Sequence, residues 1–254
     1  MKDVNQRIVW ITGASSGIGL SLTRRYLDDG WKVLASARTQ GELTLLLDTY
    51  EHLIFAPFDV SDGNQVDAMK ETLSALTSHL DCAVLNAGTC EYLDITDENP
   101  DWKMMDRVMS VNFFGLVNSV DVCLSLLKKA HHPHLVGVSS QAVQASFPQA
   151  EAYGASKAAT RYFLSSLRMD LKQFNIDVTC LLPGFVDTPL TQKNTFSMPF
   201  LMSADEAAKR MHTALNSRPY EFAFPKRLSA MLWMGRHFPK LWLSMLAPKS
   251  TETK

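Results

Sequence analysis

Short apolar runs alternate along the chain with longer segments in which apolar residues recur every three or four positions. The short runs predict strands at residues 8–12, 32–37, 52–58, 82–85, 135–138, 177–182 and 220–224. The periodic segments predict helices at residues 20–27, 43–50, 62–78, 102–129, 153–174 and 204–216. The strands are apolar on both faces, which is typical of a parallel sheet covered on each side. Crossovers of one hand then give an α/β, Rossmann-like, doubly wound fold.

The chain of 254 residues is expected to form a single domain, because no linker, repeat or low-complexity tract divides it. A hydrophobic content of 46% and a charged content of 20% are typical of a soluble globular protein. The net charge of -1 gives no reason to expect a nucleic-acid partner. The first ten residues lack an apolar signal-peptide core and lead into the first strand, so we expect a cytoplasmic location.

Three glycines, Gly13, Gly17 and Gly19, lie between the first strand and the first helix. Glycine permits positive φ and lets backbone N–H groups approach a ligand, and the following helix presents its positive end to an anion. Turns also use glycine for steric reasons alone, so the position between strand and helix is what favours binding of a phosphate or pyrophosphate.

Small and polar residues end the predicted strands. In a doubly wound sheet, ligands bind beyond the carboxyl ends of the strands. The residues that would meet at this edge are Gly13, Ala37, Arg38, Asp59, Asn86, Ala87, Gly88, Ser139, Ser140, Pro183 and Gly184.

Tyr153 and Lys157 are four positions apart on a predicted helix, so their side chains share one face. An ammonium group held close to a phenol stabilises the phenolate, so we expect Lys157 to lower the pKa of Tyr153. Ser140 follows a strand, where its hydroxyl could bond the same reacting oxygen. Such a Tyr/Lys pair can also be an ordinary solvated pair on a helix surface, and the glycine turn and the serine favour the catalytic alternative.

These motifs, Thr12-Gly13-x-x-x-Gly17-x-Gly19, Asn86-Ala87-Gly88, Asn112, Ser140, Tyr153-x-x-x-Lys157 and Pro183-Gly184, resemble the short-chain dehydrogenase/reductase family in order and spacing. The resemblance runs from about residue 7 to Thr188 and implies an NAD(P)-dependent enzyme that interconverts a carbonyl and an alcohol. It implies that Tyr153 exchanges the proton, that Lys157 lowers the pKa of Tyr153 and holds the nicotinamide ribose, and that Ser140 polarises the substrate oxygen. In such an enzyme the nicotinamide cofactor supplies or accepts the hydride.

The resemblance also assigns further roles. Asn112 would complete a proton relay through water, although its amide could instead be satisfied inside the long helix. Asp59 would contact the adenine. The implied cofactor-binding set is Gly13, Ser15, Ser16, Gly17, Ile18, Gly19, Arg38, Asp59, Val60, Asn86, Ala87, Gly88, Tyr153, Lys157, Pro183, Gly184, Val186 and Thr188. Two departures are Leu85, where the family often has asparagine, and Gln141-Ala142-Val143, where it often has a glycine.

The end of the second strand carries Arg38 and no acidic residue. A carboxylate there would bind the ribose 2′-hydroxyl of NAD, whereas an arginine accommodates the 2′-phosphate of NADP. We therefore predict NADP(H) in preference to NAD(H), with Arg38 as the main determinant and Ser36 or Thr39 assisting. No pattern of metal ligands is visible, and the spacing of the four cysteines favours reduced, buried side chains.

By resemblance, residues 189–202 form a mobile loop over the substrate, and its apolar side chains favour a lipophilic substrate. We divide the chain into a main body, residues 1–224, and an apolar and basic C-terminal extension, residues 225–254. Residues 225–249 contain no acidic residue, so the extension could touch a membrane surface, although covering the substrate cleft or a subunit interface is favoured. The family commonly associates through the helices at 102–129 and 153–174, which implies a homodimer or homotetramer.

Two alternatives to carbonyl reduction stay open at this point. One is reduction of a C=C or C=N bond, and the other is a non-catalytic NADP(H) sensor. Sensors tend to lose the tyrosine or the lysine, and both are present here. The motifs leave the substrate, the direction of reaction and the stereochemistry open.

Overall fold

The computed structural model describes residues 6–194 and 196–247. The strands are β1 (Ile8–Thr12), β2 (Lys32–Ser36), β3 (Leu53–Phe55), β4 (Cys82–Leu85), β5 (His134–Val138), β6 (Asp177–Pro183), β7 (Val186–Asp187), β8 (Met202–Ser203) and β9 (Glu221–Phe224). The α-helices are α1 (Gly17–Asp28), α2 (Thr44–Leu47), α3 (Val66–Leu76), α4 (Met104–Met109), α5 (Gly115–Leu127), α6 (Glu151–Leu171), α7 (Ala204–Leu215), α8 (Lys226–His237) and α9 (Pro239–Leu246).

In the described part of the chain, seven strands form one parallel sheet in the order β3-β2-β1-β4-β5-β6-β9. The order reverses between β1 and β4, which places a crevice at the carboxyl ends of these two strands. Side chains of β1 alternate between two buried clusters, Trp10 in one and Val9 and Ile11 in the other. The predicted doubly wound parallel sheet is therefore confirmed.

Three predicted elements differ clearly from those in the structure. The helix expected at residues 43–50 is the one-turn α2, Thr44–Leu47, which follows a 3₁₀ turn at Gly41–Leu43. The strand expected at residues 52–58 is the shorter β3, Leu53–Phe55, although the Ala56 and Phe58 N–H groups still donate to the Ala35 and Ala37 carbonyl oxygens of the neighbouring chain segment. The helix expected at residues 102–129 is divided by a π-helical segment, Ser110–Phe114, between α4 and α5. The stretch Met104–Leu127 is apolar enough to span a membrane by length and composition, but half of its most apolar window is buried inside the protein, as in a core helix.

A second, small pairing lies outside the main sheet. β7 and β8 form a parallel pair that joins Val186 to Met202 and Asp187 to Ser203. This pair holds together the two ends of the predicted substrate loop at residues 189–202. Within that loop, Thr195 lies outside the described residues.

The C-terminal extension continues as two helices, α8 and α9, that pack on the body. Leu228, Leu232 and Trp242 form a small buried cluster, against which Phe147 and Phe185 of the body pack. Residues 248–254, including Lys249, lie outside the described residues, as do residues 1–5. The division of the chain at residue 224 stays a prediction.

Candidate active site

Nearly all of the residues predicted to bind the cofactor line one cleft of about 380 Å³ at the carboxyl edge of the sheet. The members of the predicted set that line it are Gly13, Ser15, Ser16, Gly17, Ile18, Arg38, Asp59, Val60, Asn86, Ala87, Gly88, Tyr153, Lys157, Pro183, Gly184, Val186 and Thr188. The carboxyl ends of six strands, β1 to β6, and the start of α6 contribute to the cleft, so residues far apart in the sequence meet there.

The start of α1 is built to receive an anion. Gly13 and Gly17 have φ of 65° and 52°, a region that favours glycine. The N-cap Ser16 makes no side-chain capping bond, and the first turn has no acidic residue. Gly17 and Ile18 line the cleft, so N–H groups without a capping side chain face the place where a pyrophosphate would bind.

Gly19 is the exception in the predicted set, because it does not line the cleft. A Cβ on Gly19 would lie 2.1 Å from the Gly13 carbonyl oxygen and 2.7 Å from Nδ2 of Asn86. Asn86 donates from Nδ2 to the carbonyl oxygens of Thr12 and Gly13, each at 3.2 Å. The lack of a side chain at Gly19 lets α1, the glycine turn and Asn86 pack together, so Gly19 has a packing role, and its contact with the cofactor stays a prediction.

Arg38 and Thr39 line the cleft at the end of β2, and both are exposed. Arg38 has no ion-pair partner among residues 6–194 and 196–247, so its guanidinium is available to a phosphate. The suggestion that Ser36 assists is wrong, because Ser36 is fully buried. Its Oγ donates to the Ala56 carbonyl oxygen and accepts from Nε1 of Trp10.

Lys157 is 4% exposed, and its Nζ donates to the Val138 carbonyl oxygen at 3.0 Å. The same Nζ is 5.9 Å from the centre of the Tyr153 ring. Ser139 donates its Oγ to the Lys157 carbonyl oxygen at 2.8 Å and so ties the start of α6 to the end of β5. The two side chains face one cleft, as the four-residue spacing predicted.

The expected lowering of the Tyr153 pKa is not found in the protein by itself. Burial raises the pKa of Tyr153 to about 12, and a hydrogen bond with Ser140 opposes the rise. Burial also lowers the pKa of Lys157 to about 8. The reason is that desolvation disfavours the charged form of both groups, and at this separation Lys157 does not overcome it for Tyr153.

Ser140 caps the short turn Gln141–Val143, where its Oγ accepts from the Ala142 N–H at 3.1 Å. Gln141 is buried, and its side chain joins this turn to the start of α8. Its Oε1 accepts from Ser229 Oγ at 2.9 Å, and its Nε2 donates to the Pro225 carbonyl oxygen at 3.4 Å. Gln141, part of the sequence departure after the serine, therefore connects the C-terminal extension to the turn that Ser140 caps.

Asn112 lies in the π-helical segment and lines neither the cofactor cleft nor the cavity beside it. Its Oδ1 accepts from the Thr89 N–H, and its Nδ2 donates to the Thr89 carbonyl oxygen and to Ser156 Oγ. Its side chain is thus satisfied by the loop after β4 and by α6, and not inside the long helix as the alternative to the relay had it; the relay itself stays a prediction. A Cβ on Gly88 would lie 3.2 Å from Asn112 Oδ1 and 3.3 Å from Lys157 Nζ, so the lack of a side chain at Gly88 leaves room for both groups.

Comparison with known proteins agrees with this geometry. The family model described as short chain dehydrogenase matches residues 7–198. The chain belongs to the short-chain dehydrogenase family. It is an NAD(P)-dependent oxidoreductase. The similarity to known members extends beyond the segments that line the cofactor cleft.

An uncharacterised oxidoreductase of Myxococcus xanthus is 32% identical over 244 residues, which are 94% of this chain and 95% of that protein. The benzil reductase of Saccharomyces cerevisiae that forms (S)-benzoin is 34% identical over 192 residues, 72% of this chain and 73% of that protein. A solved short chain dehydrogenase from Burkholderia cenocepacia, in complex with NADP, has the same fold. It gives a TM-score of 0.82 at 22% identity, covering 96% of this chain and 98% of that chain.

A second cavity of this dehydrogenase, about 530 Å³ in volume, adjoins the first. Tyr153 and Gly184 line both, and Ser140 lines the second. Its walls come from the loop after β4, the Ser140 turn, the substrate loop, and α8 with α9. Its lining includes the large apolar side chains of Phe147, Phe185, Leu190, Phe196, Leu228, Met231, Leu232, Met234, Phe238, Leu241, Trp242, Met245 and Leu246, together with the ring of Tyr92.

The sequence placed the apolar loop at 189–202 over the substrate and favoured the C-terminal extension as a cover for the cleft, but it did not single out Tyr92 or Phe147. Tyr92 and Phe196 pack edge to face, with ring centres 5.6 Å apart, and Tyr92 donates its hydroxyl to Asn194 Oδ1 at 2.7 Å. Phe147 and Trp242 pack in the same manner at 5.7 Å. A lone aromatic residue in a loop carries no local signal, so these contacts emerge only when distant segments meet.

Proposed function

We propose that this dehydrogenase is an NADPH-dependent reductase of uncharged, lipophilic ketones or aldehydes, able to oxidise the corresponding alcohols in reverse. The observation that carries the proposal is the second cavity, which opens onto Tyr153 and Ser140 and is walled by apolar side chains. The benzil reductase among the relatives is named for a carbonyl substrate, which supports this class of reaction.

The charge of the cavity wall narrows the substrate class. Among the described residues, the wall includes no Lys, Arg, His, Asp or Glu side chain. A carboxylate or phosphate brought into such a wall would lose its hydration without gaining an opposite charge. A neutral carbonyl compound carries no such penalty, and its apolar surface is stabilised by burial at about 25 cal/mol per Å².

Three side chains would carry the proton chemistry of reduction. Tyr153 donates its proton to the carbonyl oxygen, and its pKa of about 12 keeps it protonated at neutral pH. Ser140 donates a second hydrogen bond to the same oxygen and so stabilises the charge that develops there. The buried ammonium of Lys157 stabilises the phenolate that remains. When bound, the nicotinamide cofactor supplies the hydride.

The preference for NADPH rests on Arg38 and on the absence of an acid at the end of β2. The exposed guanidinium of Arg38, which also lines the cleft, can bond a 2′-phosphate with two donors. The related Burkholderia structure was solved with NADP, which supports the choice.

For assembly, we infer a homodimer or homotetramer formed through the helical stretch at 102–129 and α6. Large apolar side chains stand exposed there, among them Phe114, Tyr162 and Met169. Burying such a face against a second copy would remove it from water. We keep a cytoplasmic location as part of the proposal, because the four free cysteines suit a reducing compartment.

The test is NADPH oxidation by the purified protein with pairs of carbonyl compounds that share a carbon skeleton and differ by one carboxylate. We expect the neutral member to be preferred at least tenfold in kcat/KM, with activity lost in Tyr153→Phe. A preference for the carboxylated member would overturn the substrate class. Tight NADPH binding without turnover that depends on Tyr153 would favour the sensor alternative.

A further inference from the structure

The helices α8 and α9 have two different faces. The inner face packs on the body through Leu228, Leu232 and Trp242, and Trp242 Nε1 donates to the Ser146 carbonyl oxygen at 2.7 Å. A Cβ on Gly235 would lie 2.7 Å from the Trp242 ring, so the two helices are in close contact. This inner face closes the substrate cavity, as was favoured for the extension.

The outer face is apolar although it is exposed. Trp233 is 54% exposed and Leu243 is 66% exposed, and neither lines the cavity. Further large apolar side chains of these helices are exposed and also line the cavity, so they border one side of its opening. These are Met234, Phe238, Leu241 and Met245. Side chains of this size rarely cluster on a soluble surface without a partner.

The charged side chains of the same helices are all basic. Lys226, Arg227, Arg236 and Lys240 are all exposed, and none has an ion-pair partner in the described part of the chain. The sequence contains no Asp or Glu between Glu221 and Glu252. An apolar face with tryptophan and phenylalanine, flanked by lysine and arginine, is the composition of a helix that lies in the headgroup region of a bilayer.

We propose that the outer face of α8 and α9 docks this enzyme on an anionic lipid bilayer, with the opening of the substrate cavity turned toward the lipid. The proposal deepens the proposed function and rests on it, because a lipophilic carbonyl compound concentrates in the bilayer and would enter the cavity from there. Anionic headgroups would pair with the four cations while the exposed rings and aliphatic side chains enter the interface.

A second copy of the chain fits this face less well. In a two-fold contact the same patch meets itself, so the cations would face cations with no carboxylate on either helix to pair with them. An anionic surface removes that repulsion, and the charge complementarity therefore selects lipid over a second copy.

Co-sedimentation with vesicles tests the docking without any turnover. We expect the protein to sediment with vesicles that contain phosphatidylglycerol and to stay in solution with phosphatidylcholine alone. The double variant Arg236→Glu/Lys240→Glu should lower the partition coefficient by at least about 25-fold, because each basic residue near an anionic surface contributes about fivefold and the two new carboxylates are repelled by it. The matched control Lys103→Glu/Lys209→Glu reverses two exposed lysines elsewhere and should retain binding.

Fluorescence locates the contact. Lipids with brominated chains should quench the tryptophan emission of the wild type, and Trp233→Phe should remove most of that quenching. Trp102 is 59% exposed and lies far along the chain in the body, so Trp102→Phe serves as the matched control and should retain it. A small water-soluble carbonyl compound should be reduced equally well by Trp233→Phe, because Trp233 lines neither cavity.

Failure of the docking and failure of the proposed function give different results. If the protein reduces no lipophilic carbonyl compound but still binds anionic vesicles, the docking proposal stands and the proposed function is wrong. Equal binding to both kinds of vesicle, binding to neither, or quenching that survives in Trp233→Phe would overturn the docking. Self-association that Trp233→Gln/Leu243→Gln abolishes, without vesicle binding, would assign the face to a second copy.

Discussion

Lys157 Nζ lies 5.9 Å from the centre of the Tyr153 ring and gives its hydrogen bond to the Val138 carbonyl oxygen at 3.0 Å. Burial opposes charge on both side chains, raising the pKa of Tyr153 to about 12 and lowering that of Lys157 to about 8. At neutral pH the phenol of Tyr153 is therefore protonated, whereas the ammonium of Lys157 is within about one pH unit of losing its proton.

This difference predicts an alkaline limit on reduction. Above a pH of about 8, Lys157 loses its charge while Tyr153 remains protonated, so kcat/KM for NADPH should fall tenfold per pH unit. Steady-state kinetics across the pH range would show the limit. In Lys157→Arg the guanidinium stays charged, so the residual activity should lack that fall. An unchanged profile in the variant would assign the limit to another group.

Cofactor selectivity should depend on Arg38. We expect Arg38→Ala to weaken NADPH binding by about 10- to 100-fold and NADH binding much less, because a hydrogen bond between charged groups is removed only from the 2′-phosphate. Titration calorimetry with both cofactors measures the ratio. Arg24→Ala, which changes an exposed arginine outside the cleft, is the control. A ratio that Arg38→Ala leaves unchanged would contradict NADP selection by this residue.

Gly19 and Gly154 offer a matched pair of helical glycines. A Cβ on Gly19 would meet the Gly13 carbonyl oxygen at 2.1 Å, whereas a Cβ on Gly154 meets nothing within 4 Å. Gly19→Ala should therefore destabilise the protein by about 3 kcal/mol or more and displace the glycine turn. Gly154→Ala should stabilise it by up to about 1 kcal/mol, through helix propensity. Denaturant unfolding and NADPH titration report both effects, and a neutral Gly19→Ala would refute the packing argument.

His134 should contribute to acid sensitivity. It is the buried first residue of β5, and burial lowers its pKa to about 4. Thr179 donates its hydroxyl to the Pro219 carbonyl oxygen, so its oxygen accepts from Nε2 of a neutral His134 at 2.9 Å. The unfolded chain binds the proton near its ordinary pKa of about 6.5, and the folded chain does so only near 4. Stability from this group is therefore complete above that range and falls as the pH drops from about 6.5 to 4.

The free energy of unfolding, measured by urea titration at several pH values, checks this sign. The loss should reach on the order of 3 kcal/mol by pH 4. His134→Leu should lose less stability than the wild type over the same range, although it is less stable at neutral pH. Thr179 keeps its bond to Pro219 in that variant. Parallel curves for the two proteins would show that another group titrates.

Much of the cofactor cleft could be predicted from the sequence. The alternation of β1 and the spacing of Gly13 and Gly17 are local properties, because backbone geometry alone fixes which residues end a strand and begin a helix. The four-residue spacing of Tyr153 and Lys157 likewise placed both on one face of α6. Parallel strands bring their carboxyl ends to one edge, so the positions of these residues followed from the fold class.

What required the tertiary structure is everything that depends on contacts between distant segments. Gly19 is a packing residue, Ser36 is buried against Trp10, and the side chain of Asn112 is satisfied by Thr89 and Ser156. Spacing cannot distinguish a side chain that faces a ligand from one that faces a neighbouring element. The rise in the Tyr153 pKa has the same origin, because desolvation depends on all surrounding atoms.

The sequence by itself determined the parallel sheet, the nucleotide-binding turn and the Tyr/Lys face, since each arises from short-range periodicity and backbone geometry. The tertiary structure decided the substrate cavity, because its wall joins Tyr92, Phe147, Phe196 and Trp242 from four separate segments. It also decided the two faces of the C-terminal helices, where Gln141 and Trp242 fix which side is covered. Hydrophobic burial acts between whatever surfaces the chain brings together, so only the folded arrangement shows which apolar side chains stay exposed.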